Sequence, residues 1–286
     1  KHSTAMIFRQ LYESETSTYT YLLADAGEAI LIDPVREKVD RDLKLLEELG
    51  LTLVYTVETH VHADHVTGGG EMRERVGSRS AVSAEGGAPC ADLLLAHGDK
   101  INFGGRHIVA RATPGHTGGC MSFVMDDQSM VFTGDTMMIR GSGRTDFQQG
   151  DPAQLYRSIH EQLFSLPDDT LVYPGHDYRG FTMSTIAEEK ALNPRAGGGK
   201  TEAEFVEIMN GLNLREPKRI HEAVPANLSC GIVLSPEQSA DGELSTAAWA
   251  PVMRAGDGTP EISGSWVADH RDVRILDVRE PGEFGE

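Results

Sequence analysis

The sequence has little cysteine, no long apolar run and few basic residues for its length. Its 286 residues include only 3 cysteines, Cys90, Cys120 and Cys230. Such a small, scattered set is too few for a disulfide framework or a cysteine-based zinc site, and a reducing compartment fits it best. Nowhere do about 18 apolar residues follow one another, as a membrane-spanning helix requires. With no signal-peptide core visible either, we expect a soluble, cytoplasmic protein with no membrane partner.

The charge balance is acidic. The chain carries 26 lysine and arginine residues against 44 aspartate and glutamate residues, a formal net charge of -18. Binding to a phosphate backbone needs clustered basic residues that release counterions. Nucleic acid is therefore not an expected partner.

Short apolar, β-branched runs alternate with turn residues through the first half, and helical patterns lie between and after them. The runs predict strands at 29–33, 53–59, 80–83, 108–113, 121–125 and 130–133. Helices are predicted at 40–49, from Asp151-Pro152 onward, at 184–192 and at 202–209. Strands in runs with helices in blocks indicate a layered α/β sandwich instead of a regular βαβ repeat.

The first segment that carries chemistry is Thr59-His60-Val61-His62-Ala63-Asp64-His65, directly after a predicted strand. It places imidazole and carboxylate donors on one loop, which suits a divalent metal. Taken alone, His62 fits a hydrogen-bonded polar residue of the interior better than a ligand. Packing gives no reason to crowd so many titratable groups together, so the cluster as a whole predicts a functional site.

Three later segments repeat this arrangement of a donor at the end of a strand. They are Thr113-Pro114-Gly115-His116-Thr117, Phe132-Thr133-Gly134-Asp135 and Tyr173-Pro174-Gly175-His176-Asp177-Tyr178. Each alone fits an ordinary glycine-containing turn. Together, in this order, they predict one metal site assembled from four loops.

The order resembles the metallo-β-lactamase superfamily, whose members have a His-x-His-x-Asp-His loop, then a Gly-His, a Gly-Asp and a late Gly-His. The resemblance covers about residues 6 to 232. It implies an αββα sandwich with the metal at one edge of the sheets. Because the superfamily includes hydrolases, nucleases and oxidoreductases, the resemblance predicts the fold and metal binding but not the reaction.

Within that superfamily, four segments resemble the persulfide dioxygenases: 139–150, 176–178, 192–195 and 224–227. That family oxidises glutathione persulfide with O2 and water to glutathione and sulfite. The resemblance implies one Fe(II) per chain, with His60, His116 and Asp135 as its ligands. On this interpretation His62, Asp64, His65 and His176 support those ligands or are remnants of a second metal position.

Substrate binding is expected from polar groups near the metal. Arg144 matches a family position associated with glutathione, and a guanidinium can hold a carboxylate bidentately; the alternative is a structural salt bridge. Tyr178, beside Asp177, is a candidate donor to the peptide, with a buried, satisfied tyrosine as the alternative. Thr133 is a further candidate. Cys120 fits a small buried strand residue better than a nucleophile.

The end of the chain has a different character. Turn-forming residues after about residue 232 indicate a linker at 233–259 that follows a dioxygenase domain at 6–232. Segments 260–263 and 275–284 resemble the opening of a rhodanese domain. Rhodaneses carry sulfane sulfur on a cysteine, and none follows Cys230, so we expect an incomplete rhodanese-like segment at 260–286. The resemblance implies a fused sulfurtransferase coupled to the oxidation, and we also expect a homodimer.

Two other functions fit parts of the sequence. A two-metal glutathione thioester hydrolase of the glyoxalase II kind would use Asp64, His65 and His176 as ligands of the second metal. The chain shows no long basic helical region near its end for glutathione, which disfavours that hydrolase. A non-catalytic, metal-binding sulfur sensor is a further alternative, but its site would be coordinatively closed.

Overall fold

Two six-stranded sheets form the centre of the fold, and in each the neighbouring strands follow the order of the chain. The first sheet consists of β1 (Ile7–Glu13), β2 (Thr18–Asp25), β3 (Glu28–Ile32), β4 (Thr52–Val57), β5 (Arg79–Ser83) and β6 (Leu93–Leu95). The second consists of β7 (Lys100–Phe103), β8 (Arg106–Ala112), β9 (Met121–Met125), β10 (Met130–Gly134), β11 (Leu171–Pro174) and β12 (Ser184–Thr185). This computed structural model describes residues 6–232 and the backbone of 252–254 and 260–262.

Helices cover the outer faces of both sheets. They are α1 (Val39–Glu48), α2 (Gly69–Val76), α3 (Pro152–Ser158), α4 (Ile186–Leu192), α5 (Glu202–Asn210) and α6 (Ile220–Leu228). A wide π-helical turn at Ile159–Leu163 continues α3. The predicted start of α3 is confirmed, because the side chain of Asp151 accepts a hydrogen bond from the backbone N–H of Gln154.

The apolar side chains form three layers. The central one, between the sheets, is rich in aromatic residues that include Tyr21, Phe123 and Phe132. A second cluster packs α1 and Met72 of α2 against the outer face of the first sheet. A third packs α3 and α5 against the outer face of the second sheet. The predicted αββα sandwich is confirmed.

The differences from the predicted elements have local causes. Of the strands and helices named above, those that were not predicted from the sequence are β1, β2, β6, β7, β11, β12, α2 and α6. Strand β2 is buried along almost its whole length, so it lacks the polar alternation that marks a half-exposed strand. The helix predicted from residue 184 begins at Ile186. Ser184 and Thr185 pair with β11 instead, and the Thr185 side chain caps the helix.

The last helix of the described domain contacts the backbone of the histidine-rich loop. The side chain of Asn227 on α6 accepts a hydrogen bond from the backbone N–H of Thr67 (2.8 Å) and donates to the carbonyls of His62 and His65 (both 2.9 Å). Close by, Gly231 has a φ of 77°, and a Cβ there would lie 2.2 Å from the Thr67 carbonyl oxygen. One buried amide thus satisfies three backbone groups of the loop.

A disulfide joins Cys90 to Cys230, 140 residues apart in the chain. The cysteine spacing did not predict this pair, because separation along the chain does not reveal proximity in space. The bridge ties the segment after α6 to the loop before β6. A disulfide is also not what the predicted reducing compartment favours.

The chain divides into two compact units, residues 1–233 and 234–286. In the second, β13 (Val252–Arg254) pairs antiparallel with β14 (Pro260–Ile262), so a strand falls inside the predicted linker. Most of the rhodanese-like segment, including 275–284, lies outside the described residues. None of the helices described has the length and apolar character needed to cross a membrane.

Replacement of Asn227 by alanine tests this support of the loop. Because the N–H of Thr67 and two buried carbonyls lose their partner, we expect Asn227→Ala to lower the free energy of unfolding by about 2–4 kcal/mol. Metal affinity should fall about 10- to 100-fold, as for other groups that orient ligands. Denaturant unfolding and chelator competition measure the two effects.

Asn210→Ala is the matched control, because Asn210 is an exposed residue at the end of α5. We expect it to change the free energy of unfolding by less than about 0.5 kcal/mol. Equal effects of the two substitutions would show that the Asn227 contacts do not support the loop.

Candidate metal centre

Three of the predicted ligands converge at one edge of the sandwich. β8, β10 and β11 run in the same direction in the second sheet, so the loops that follow them open at the same edge. His60 follows β4 in the other sheet. The Oδ2 of Asp135 lies 3.7 Å from Nε2 of His60 and 3.4 Å from Nε2 of His116. One atom from each residue lies within 4.8 Å of the other two, a spacing that suits a shared metal ion.

Hydrogen bonds fix the tautomers of both histidines. The hydroxyl of Thr59 donates to Asp33 (2.7 Å), so it accepts from Nδ1–H of His60 (3.0 Å). Nδ1–H of His116 donates to the backbone carbonyl of Arg144 (2.6 Å). Since Nδ1 carries the proton in each case, both Nε2 atoms present a lone pair toward Asp135.

The other three predicted histidines surround the carboxylate of Asp64. Its oxygens lie 3.2 Å from Nδ1 of His65, 3.5 Å from Nε2 of His176 and 3.9 Å from Nδ1 of His62. Burial opposes ionisation of Asp64, but the neighbouring imidazoles lower the pKa of Asp64 well below its ordinary value. His62, Asp64 and His176 form a second group with the spacing of a metal site.

Two buried carboxylates hold His62 from behind. Its Nε2 lies 3.1 Å from Oδ1 of Asp33 and 3.4 Å from Oε2 of Glu58. Burial disfavours the imidazolium, yet the two carboxylates raise the pKa of His62 above its ordinary value. At His60 burial dominates, and the pKa is lowered well below its ordinary value.

The donor set fits a cation. Among the described residues, Oδ1 of Asp135 and Nε2 of His65 belong to the buried atoms that have no hydrogen-bond partner. Unpaired buried acceptors of this kind are costly. A divalent metal held by imidazole nitrogens and a carboxylate would satisfy the Asp135 carboxylate.

The loop at 138–143 forms one wall of the site and is held by the buried Glu189. That carboxylate accepts hydrogen bonds from the backbone N–H (3.0 Å) and the guanidinium (2.6 Å) of Arg140. At the end of this loop, a Cβ on Gly143 would lie 2.7 Å from the ring of His116. Only glycine therefore allows the loop to approach the ligand histidine so closely.

A cleft of about 900 Å³ opens beside the three converging residues. Asp177 and Tyr178, two of the predicted substrate residues, line it. The carboxylate of Asp177 accepts hydrogen bonds from the N–H groups of Arg179 and Phe181 (2.8 and 2.9 Å), so it fixes the turn that presents Tyr178. The Tyr178 ring stacks on His176 with centroids 6.0 Å apart. Tyr178 is 70% exposed, so the buried, satisfied tyrosine considered above is wrong.

Two predicted substrate residues have other roles. The guanidinium of Arg144 forms a bidentate pair with Asp146 (2.6 and 2.7 Å) and donates to the carbonyls of Arg215 (2.6 Å) and Leu214 (3.3 Å). Its donors are thus occupied by the protein, as in the structural alternative. Thr133 is fully buried and donates to the carbonyl of Met137 (2.6 Å), so it does not reach the cleft.

Cys120 is a buried residue without nucleophilic character, as predicted. Burial raises the pKa of its thiol to about 12, and the sulfur accepts a hydrogen bond from the N–H of Thr117 (3.3 Å). The thiol is therefore protonated at neutral pH.

The sequence interpretation missed the groups that hold the histidines. Asp33, Glu58 and Thr59 all lie where a strand ends, the same signal that identified the ligands. Asn227 was noted only within a segment that resembles the persulfide dioxygenases. Its contacts with the loop could not be inferred from a position 160 residues from Thr67.

Comparison with known proteins agrees with this geometry. A family model of the metallo-beta-lactamase superfamily matches residues 14–176. The human protein named persulfide dioxygenase ETHE1, mitochondrial, is 53% identical over 230 residues, 79% of this chain and 89% of the human one. The crystal structure of ETHE1 from Myxococcus xanthus is 53% identical and superposes with a TM-score of 0.77, covering 79% of this chain and 100% of that one.

A hydrolase of the same superfamily is more distant. Hydroxyacylglutathione hydrolase of Ruegeria pomeroyi is 34% identical over 195 residues, 63% of this chain and 72% of that protein. The chain therefore belongs to the persulfide dioxygenases of the metallo-β-lactamase superfamily.

Proposed function

We propose that the chain oxidises glutathione persulfide with O2 and water to glutathione and sulfite, at one Fe(II) held by His60, His116 and Asp135. The observation that carries the proposal is the convergence of two Nε2 lone pairs on one carboxylate, each lone pair fixed by a hydrogen bond to the opposite ring nitrogen. The identity of 53% with a human persulfide dioxygenase supports the reaction class.

His60, His116 and Asp135 would hold the Fe(II), which would supply the redox chemistry toward O2 and the persulfide sulfur. The cleft beside these residues is large enough for a tripeptide. Holding both reactants in one place converts their encounter into an intramolecular step. The walls at 138–143 and 176–178 fix where the substrate lies.

The reaction balances with one O2 and one water per persulfide. The outer sulfur is oxidised and takes up three oxygen atoms, two from O2 and one from water. The sulfur–sulfur bond breaks, and the inner sulfur leaves as the thiolate of glutathione. It becomes the thiol by taking a proton, and the sulfite formed releases two.

Tyr178 is suited to contact the sulfur atoms or the peptide. Partial desolvation raises the pKa of Tyr178 above its ordinary value, and the negative charges of Asp135 and Asp64 add to the shift. The hydroxyl therefore stays protonated at neutral pH and can donate a hydrogen bond to the persulfide.

A second group of residues with the spacing of a metal site keeps the two-metal hydrolase as the competing function. His62, Asp64 and His176 could hold a second metal beside the first, with Oδ1 of Asp135 3.6 Å from Nε2 of His176. Kinship with the persulfide dioxygenases favours the single-iron alternative. The same kinship argues against a non-catalytic sulfur sensor.

Three further expectations stay predictions: the sulfurtransferase coupled through a rhodanese-like segment at 260–286, the homodimer and the cytoplasmic location. The strand Pro260–Ile262 is described only as backbone and carries no information on sulfur chemistry.

Oxygen consumption by anaerobically iron-loaded protein tests the proposal. With glutathione persulfide we expect one O2 consumed per sulfite formed, and one iron per chain in the same sample. The measurements are an oxygen electrode, sulfite quantification and elemental analysis. Two metals per chain, no oxygen uptake and hydrolysis of a glutathione thioester would instead establish the hydrolase.

Single substitutions distinguish the proposed iron ligands from the histidines around Asp64. Because His116 presents its lone pair to Asp135, His116→Ala should abolish stoichiometric iron binding and turnover. His65→Gln is the matched control at a buried histidine outside the proposed triad, and it should retain one iron with activity within about tenfold of the parent. Circular dichroism confirms that both variants fold. Loss of iron from His65→Gln to the same extent would place His65 among the ligands.

A further inference from the structure

The cleft is lined by many cations in a strongly acidic protein. Seven basic residues contribute to its walls, namely Arg140, Arg144, Arg179, Arg195, Arg215, Lys218 and Arg219. The chain as a whole has a net charge of -18. An anionic substrate is therefore repelled at long range and depends on local cations for binding.

Five of these cations are already engaged within the protein. Arg140 pairs with Glu188 and Glu189, and Arg219 pairs with Glu222 and Glu37. The remaining three donate to backbone carbonyls: Arg144 to Leu214 and Arg215, Arg179 to Ile139, and Arg195 to Ser142. Arg144 also pairs bidentately with Asp146.

Two cations differ from the other five. Arg215 and Lys218 are exposed, and within residues 6–232 neither side chain has a hydrogen bond or an ion pair. The carboxylate of the adjacent Glu216 lies 3.1 Å from Nε2 of His221 instead of contacting either cation. They are thus the cations of the cleft that can engage a ligand without breaking an existing contact.

Arg144 connects these two residues to the metal centre. Its backbone carbonyl accepts the hydrogen bond that orients His116, and its guanidinium donates to the carbonyls of Leu214 and Arg215. The segment between α5 and α6 has no regular structure of its own. Arg144 therefore fixes that segment against the wall that orients His116.

We propose that Arg215 and Lys218 bind the carboxylates of the glutathione part of the substrate, and that Arg144 is a positioning residue for them. The inference rests on the proposed function, since it deepens its substrate class. A guanidinium pairs bidentately with a carboxylate, while an ammonium binds as a point charge. The two residues determine specificity for a persulfide that carries carboxylates over one that does not.

Equilibrium binding of glutathione tests the pair without any turnover. Arg215→Gln should weaken glutathione binding about tenfold and Lys218→Gln about fivefold, as expected for charge-assisted contacts at an accessible site. Glutathione diethyl ester, which has no free carboxylate, should bind all variants equally. Isothermal titration calorimetry on iron-loaded protein gives these affinities.

Arg79→Gln and Lys100→Gln are matched controls, because these exposed cations lie outside the cleft. They should leave glutathione affinity unchanged. Unchanged affinity in the variant that lacks both Arg215 and Lys218, or an equal loss for the diester, would overturn the inference. A parent protein that binds glutathione but consumes no O2 would overturn the proposed function alone.

The role of Arg144 is tested by combining substitutions. If Arg144 acts through Arg215, Arg144→Gln weakens glutathione binding about as much as Arg215→Gln, and the double variant is little worse than either. Arg144→Lys, which keeps the charge but not the bidentate geometry, should weaken binding as well. Losses that multiply would show that Arg144 binds the substrate independently.

Discussion

The site depends on one buried carboxylate, that of Asp33. It accepts hydrogen bonds from the N–H and the hydroxyl of Thr59, both 2.7 Å, and faces Nε2 of His62 at 3.1 Å. These partners lower the pKa of Asp33 although burial opposes the shift. A buried carboxylate is tolerated only when it is paired in this way. Because the Thr59 hydroxyl donates to Asp33, it accepts from Nδ1–H of His60, and this fixes the tautomer of that imidazole.

The β-sandwich places the side chains of the site close together, and polar contacts between loops determine how those side chains are oriented. Apolar packing places the ends of β4, β8, β10 and β11 at one edge, but it does not determine which ring nitrogen faces the metal. That choice is made by Thr59 for His60 and by the Arg144 carbonyl for His116. Asn227 secures the loop that carries His60 from the far side. Loops held this way can carry a metal site with little of the mobility common in loops.

The sequence predicted the parts of the site that follow from position along a strand. Each proposed ligand comes directly after an apolar run, so the fold and the convergence of these side chains at one edge could both be inferred. Contacts between distant segments could not. From the sequence, Arg144 could either bind substrate or stabilise the structure. The structure favours the second role, because the protein occupies its hydrogen-bond donors. The Cys90–Cys230 pair and Asn227 were beyond inference for the same reason, since they join segments about 140 and 160 residues apart.

The acidic net charge of the chain explains why the arginines that stabilise the structure differ from the cations that can bind an anionic substrate. An anion that approaches a protein with a net charge of -18 meets an unfavourable field, which salt screens over about 10 Å at moderate ionic strength. Arginines paired with carboxylates, such as Arg140 with Glu189, add little to the potential of the cleft because the pair is neutral. Arginines bound to carbonyls keep their charge but have fewer donors left for a ligand. Among the cations that line the described cleft, only Arg215 and Lys218 combine an unpaired positive charge with free hydrogen-bond donors. This combination suits them to bind a carboxylate.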